Sequence, residues 1–286
     1  MSLRINTNVS AANAYRNLSV NDKSVSGSME KLSSGLRINR AADDAAGLSV
    51  SEGLKSQIGG LTVAARNAQD GVNVAQTADG ALGETSSILQ RMRDLSVQAA
   101  NSGSQDSDAK AAANTEFGAL NKELDRIVQS TKFGSQSLLD GSYNGAFQVD
   151  SASKNTNAGA QINVDLSTAT LTAGGNITGL DSNGLGTASL DLTSDPSAAI
   201  DQLDKAIKGV SSARSQIGAV QNRFEHTINN VNVAIENLSA SKSSITDTDM
   251  AQEMVKFSKN QILTQAGTSM LAQANQSGQG VLKLLG

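Results

Sequence analysis

Leu54–Ala99 reads LKSQIGGLTVAARNAQDGVNVAQTADGALGETSSILQRMRDLSVQA, and its spacing decides the fold. Leu54, Leu61, Ala68, Ala75, Leu82 and Leu89 fall seven apart. Ile58, Ala65 and Val72 fill the alternate position until Asp79 breaks the register, after which Ala78, Met92 and Ala99 continue a seam displaced by one residue. Spacings of three and four put all of these on one side of a helix, so the stretch is read as a helix packed lengthwise on others. At about 1.5 Å per residue it would run roughly 70 Å, well beyond the usual helix of a globular domain.

A partner with the same period begins at Ser194-Asp195-Pro196, a helix start with proline placed where its missing N–H does least harm. Behind it Leu203, Val210, Ile217, Phe224, Val231, Leu238 and Ile245 recur every seven residues. The second row, Ile200, Ile207, Ile228 and Ile235, is interrupted by Arg214 and Gln221. Between these helices, Asn101–Asp108 carries turn residues and Ala109–Gln129 a shorter helix with an apolar stripe at Phe117, Leu120, Leu124, Ile127 and Val128. From there to Asp195 the period changes to two. Ile162, Val164 and Leu166, and again Leu190 and Leu192, alternate with polar residues and predict short strands, with Asn144-Gly145 as a hairpin turn before Phe147 and Val149.

Both ends of the chain are amphipathic but weak. Leu18, Val25 and Leu32, with Met29 and Leu36 as a second row, sit among Asn, Ser and Gly27, which lower helix propensity. Thr246-Asp247-Thr248-Asp249 reads as a capping cluster ahead of Met250, Met254, Phe257, Leu263, Met270 and Ala274. Apolar faces larger than the two terminal helices can bury on each other imply contact with other subunits.

Composition narrows the function further. There is no Cys, no Trp, one Pro, one His and 2% aromatic residues, which suits narrow helix seams better than a thick globule. The absence of cysteine removes thiol catalysis and thiolate metal sites. A net charge of −4 disfavours general nucleic-acid binding. No apolar run is long enough for a membrane span, and the first residues lack the apolar centre of a cleaved signal peptide. His226 stands without a second His or a Cys nearby, and no phosphate loop, HExxH or GxSxG occurs. Asp43, Asp44, Asp247 and Asp249 lie at helix starts and read as caps. No enzyme activity, cofactor or metal is expected.

Four stretches, MSLRINTNVSAANAYRNL, KLSSGLRINRAADDAAGLSVSEGL, LQRMRDLSVQAANS and SMLAQANQSGQGVLKLL, closely resemble bacterial flagellin. The resemblance implies a homopolymer: a structural subunit exported unfolded through the flagellar channel, without a cleaved signal peptide, and assembled outside the cell into the filament used for motility. Its partners by resemblance are other copies of itself, the export apparatus and an export chaperone, and the hook-associated and cap proteins. The fold it implies is mainly α, a long antiparallel coiled-coil-like bundle with a small β-hairpin region. Residues 1–43 and 246–286 would pair as the filament core, 44–130 and 196–245 would form the long-helix domain, and 131–195 the β-hairpin region, with no large outer domains. The seam expected in its core is Leu54, Leu61, Leu82, Leu89, Leu203, Val210, Ile217, Phe224, Val231 and Leu238. Arg91, Leu95 and Gln98, with Glu116 as a fourth, match the helix surface that the animal flagellin receptor recognises in some bacteria. Lateral subunit contact is the role expected for them in the filament itself. The competing readings are a junction protein between hook and filament, which resembles flagellin at both ends, and a secreted adhesin or membrane-inserting translocator suggested by the amphipathic termini.

Overall fold

The structure is a computed structural model that describes residues 8–101, 103, 105–153, 157–166 and 179–284, with backbone alone at 158 and 277–284. Among the described residues there are five α-helices, α1 (Val9–Ser34), α2 (Ala45–Ala100), α3 (Ser107–Ser130), α4 (Pro196–Thr246) and α5 (Met250–Leu284). Four short strands, β1 (Lys132–Phe133), β2 (Gln136–Ser137), β3 (Asn144–Gln148) and β4 (Gln161–Asp165), form two antiparallel pairs, β1 with β2 and β3 with β4. The chain divides into two compact units, one of residues 1–56 and 237–286, the other of 57–236.

Each helix starts where a side chain satisfies the orphan amides of its first turn. Asn8 accepts from Ala11 N at 3.0 Å, Asp44 from Gly47 N at 2.8 Å and Asp106 from Ala109 N at 2.8 Å. Asp195 accepts from Ala198 N at 3.0 Å, and Asp249 from Ala251 N and Gln252 N at 3.0 and 3.1 Å. The carboxylates singled out in the sequence at helix starts therefore act locally, Asp43 by accepting from Asn39 N and Arg40 N just upstream. α1 stops at Gly35, whose φ of 72° takes the left-handed turn that lets its N–H reach Lys31 O at 2.8 Å.

In the unit of residues 57–236, α2 and α4 run antiparallel and share one core with α3 and the β3–β4 pair. Leu61, Leu82, Leu89, Leu203, Val210, Ile217, Phe224 and Val231 are all buried in this unit. Leu54 and Leu238, expected in the same seam, are only half-buried. They fall in the other compact unit, where Ile38 is the one large apolar side chain that is fully covered among the described residues. Two of the three defects in the heptad patterns meet: Arg214 Nε donates to Asp79 Oδ1 at 2.9 Å. The charge that displaces one seam is thus answered by the charge that interrupts the other.

The seam is thickest at Phe224. Its ring lies on Gly71, where a Cβ would overlap it, and meets the edge of Phe147 on β3 with centroids 5.6 Å apart and planes at 89°. Asn67 Nδ2 on α2 reaches Gln148 O at 3.0 Å and ties the same strand to the helix.

Residues 144–195 depart from the sequence expectation in two places. Asn144 and Gly145 are not a turn; both lie inside β3, paired with Asp165 and Val164. Gly145 is needed there because the Tyr143 side chain lies where its Cβ would stand. Leu190 and Leu192 are not in a strand either. The segment from Gly179 to Asp195 is a series of turns whose Leu180, Leu185 and Leu192 are fully buried. Its backbone is satisfied by the polar side of α3 instead of by a β partner. Asp125 accepts from Ser182 N and Oγ at 2.8 and 3.0 Å, Asn121 donates to Thr187 O at 3.2 Å and accepts from Thr187 Oγ1 at 2.7 Å, and Asn114 accepts from Leu192 N at 3.1 Å. The remainder of the expected β region, 167–178, lies outside the described residues.

Glycine substitutions separate packing from propensity. Gly59 and Gly80 lie on exposed helix surface with open space where a Cβ would stand. Gly59→Ala and Gly80→Ala should each stabilise the chain by about 0.5–1 kcal/mol. Gly71→Ala should destabilise it by about 1–3 kcal/mol, because the Phe224 ring must move. Thermal and urea unfolding followed by circular dichroism checks the opposite signs.

Candidate functional site

The unit of residues 1–56 and 237–286 is built around α1 and α5, which pack antiparallel. Asn8 Nδ2 donates to Ala274 O at 2.9 Å near one end of the pair, and Leu18 packs on Gly267 in the middle. At the other end Arg37 N donates to Thr246 O at 2.6 Å and Thr248 N to Gly35 O at 2.9 Å, on either side of a bridge between Leu36 and Asp247. These main-chain bonds occupy amides and carbonyls that the helix ends leave free.

What this unit does not bury is more informative than what it does. Tyr15, Val20 and Met29 on α1, and Met254, Val255, Ile262, Leu263 and Met270 on α5, are exposed, Tyr15 by 67% and Val255 by 69%. Ser28 on α1 and Glu253 on α5 are the buried side chains of the two helices among the described residues, each 6% exposed. Ser28 Oγ donates to Glu253 Oε1 at 2.6 Å, and Lys256 Nζ lies 3.2 Å from Glu253 Oε2. Donation by the Ser28 hydroxyl, opposed by burial and assisted by Lys256, holds the Glu253 carboxyl below its ordinary value.

The residues expected to form a contact surface do not all share one. Arg91 and Gln98 on α2 and Glu116 on α3 are exposed, and Arg91 and Glu116 are joined in an ion pair at 2.7 Å. Leu95 instead lies in the core at 2% exposure. It belongs to the displaced seam with Met92 and Ala99, all three buried. Its neighbour Val97 is the exposed apolar residue of that turn, which a strict reading of the helical period finds but a motif match does not. The Ser28–Glu253 pair was not singled out from sequence. Its signal there is spacing: Ser28 stands three after Val25 and four before Leu32, and Glu253 four before Phe257, which puts a polar residue on each apolar row.

His226 is exposed on α4 beside Arg223, in a shallow groove also lined by Asp150 and Ser151. Among the described residues, no group of three or more His, Cys, Asp and Glu stands where a metal ion could be held, and no helix is long and apolar enough to cross a membrane. A unit with a well-filled core joined in one chain to a helix pair that leaves many of its large apolar side chains exposed defines a class, the subunit whose packing is completed by an assembly.

Comparison with known proteins gives the family. The bacterial flagellin N-terminal helical region matches residues 5–144 and the flagellin C-terminal helical region matches residues 200–285. The chain is 48% identical to flagellin of Halalkalibacterium halodurans over 98% of its own length and 99% of the relative's. It is 46% identical to flagellin of Bacillus subtilis, over 99% and 100%, and 44% identical to the flagellar filament 33 kDa core protein of Treponema phagedenis, over 98% and 99%. A solved structure of Bacillus cereus flagellin, 32% identical with a TM-score of 0.44, covers 62% of this chain and 94% of that one. The chain belongs to the bacterial flagellin family, and its function is structural, as a subunit of the flagellar filament outside the cell.

The Glu253 carboxyl gives the terminal helix pair a pH dependence of known sign. Its pKa is depressed in the folded state, so its contribution is present above the ordinary value of 4.5 and is lost as pH falls through the depressed one. Acid titration of filaments, followed by sedimentation, should release subunits from the native protein at higher pH than from Glu253→Gln, in which no carboxylate titrates at this position.

Proposed function

We propose a division of labour within the subunit. Residues 1–43 and 246–286 pack with other copies to form the core of the filament. Residues 44–130 and 196–245 form the stiff strut outside it, and 131–195 brace the strut without large outer domains. The observation that carries this reading is the contrast in burial: the unit of residues 57–236 covers its seam by itself, whereas the terminal helices leave Tyr15, Val20, Val255, Ile262 and Met270 in solvent. At about 1.5–3 kcal/mol for each large apolar side chain buried, covering that surface with neighbouring subunits supplies a substantial gross drive for polymerisation. Ordering of the terminal helices and assembly are then coupled.

Arg91, Gln98 and Glu116 are the residues of the expected contact set that reach solvent, and they serve as lateral contacts between subunits; an animal receptor would meet the same three. Leu95 supports that surface from beneath. Export in an unfolded state through the flagellar channel, with an export chaperone and with cap and hook-associated proteins at the growing end, completes the reading. A chain without cysteine suits it, because it can be unfolded and refolded without disulfide traps. No catalytic step enters the mechanism.

Deleting residues 1–40 or 246–286 should leave a soluble, helical subunit that does not polymerise. Electron microscopy and sedimentation check this: filaments of ordinary length from either truncation would remove the terminal helices from the assembly mechanism. Lateral contact is tested by Gln98→Glu, which should weaken filaments against heat while leaving the melting of the soluble subunit within ~0.5 kcal/mol of the native value.

A further inference from the structure

α1 and α5 are held face to face in an unusual way. A helix pair ordinarily takes its register and facing from an apolar seam. Here the buried side chains of both helices are polar, Ser28 and Glu253, while Val20 and Met29 on α1 and Met254, Val255 and Ile262 on α5 are exposed. The half-buried Leu18, Val25 and Leu32 on α1 and Phe257 and Leu271 on α5 share that face at spacings of three and four, so the apolar seam is thin and its fully covered members are the polar pair. The main-chain bonds of Gly35 and Arg37 with Thr248 and Thr246 anchor one end of the pair and Asn8 with Ala274 O the other, and between these ends Ser28 and Glu253 make a side-chain hydrogen bond across the two helices.

We propose that the Ser28–Glu253 hydrogen bond selects the facing of α1 on α5, and thereby which apolar side chains the subunit presents to its neighbours in the filament. A buried carboxylate left without its donor carries a desolvation penalty, and that penalty falls on facings that cover Glu253 without bringing Ser28 to it. Polar pairs in otherwise tolerant helix interfaces are the best-attested devices of this type. Ser28 and Glu253 are positioning residues: they act through the helices they orient. The second half of the inference rests on the terminal unit carrying assembly.

The chain lacks cysteine, so engineered disulfides report facing without interference. Leu18 Cβ stands 3.9 Å from where a Cβ at Gly267 would lie, within the range of about 3.5–4.5 Å that a disulfide needs. Leu18→Cys with Gly267→Cys therefore reads the native facing. Val20→Cys with Gly267→Cys reads a rotated one, and Val25→Cys with Gly267→Cys one displaced by a heptad. The full-length chain is oxidised in solution and in filaments, with helix content followed by circular dichroism.

Adding Glu253→Leu to the native reporter should lower its crosslink by about tenfold at unchanged helix content, the scale of a lost hydrogen bond to a charged group. Leucine supplies apolar area, so a merely structural role for this position would leave the crosslink in place. Ser28→Ala should act in the same direction, and Glu253→Gln, which still accepts from Ser28, should restore the native crosslink. An undiminished native crosslink in Glu253→Leu overturns the inference. So does its loss in Glu253→Gln, which would assign the effect to charge. Filament yield is read separately by sedimentation: a lost native crosslink with unaltered filaments would uphold the facing role and overturn assembly through this unit.

Discussion

The contact on which the unit of residues 57–236 depends is Phe224 against Gly71. An aromatic ring can enter the α2–α4 seam only where the opposite helix has no side chain, and Gly71 supplies that gap. Once seated, the ring offers its face to the edge of Phe147 and so links both long helices to the β3–β4 pair. Beyond that contact the seam continues through Ala75, Ala78, Leu82, Leu89 and Met92 on α2 and Leu203, Val210 and Ile217 on α4, all buried. A chain with very few aromatic residues thus places two of them where three elements meet.

The two units solve opposite problems with the same helical geometry. The unit of residues 57–236 closes its own core, even to the point of pairing Asp79 with Arg214 where both seams lose their period. The terminal helix pair leaves Tyr15, Val20, Met29, Val255, Ile262 and Met270 exposed and buries a serine and a glutamate. Apolar contact is non-directional and is satisfied by any covering surface, whereas a hydrogen bond to a buried carboxylate demands one geometry.

The turns from Gly179 to Asp195 illustrate a third economy. Three leucines are driven into the core without a strand to carry them, because Asn114, Asn121 and Asp125 of α3 satisfy the backbone that a β partner would otherwise have to pair. α3 is apolar toward the seam through Phe117 and Leu124, and uses its polar side as a clamp.

By itself the sequence determined the long helices, most of their caps and their antiparallel partnership, since the heptad positions of 54–99 and 203–245 and the carboxylates at 44, 195 and 249 are local signals with local causes. It also marked the terminal helices as amphipathic and wanting partners. Only tertiary structure decided that Asn144-Gly145 is strand, that Leu190 and Leu192 are held in turns, and that Leu95 is buried while Val97 faces solvent. Each of those outcomes turns on a group distant in the chain: Asp165 across the β pair, Asn114 on α3, the core shared by α2 and α4. The Ser28–Glu253 pair is the extreme case. Its partners are 225 residues apart, and although Ser28 falls in period with Val25 and Leu32 and Glu253 with Phe257, nothing short of the packed helices brings them together.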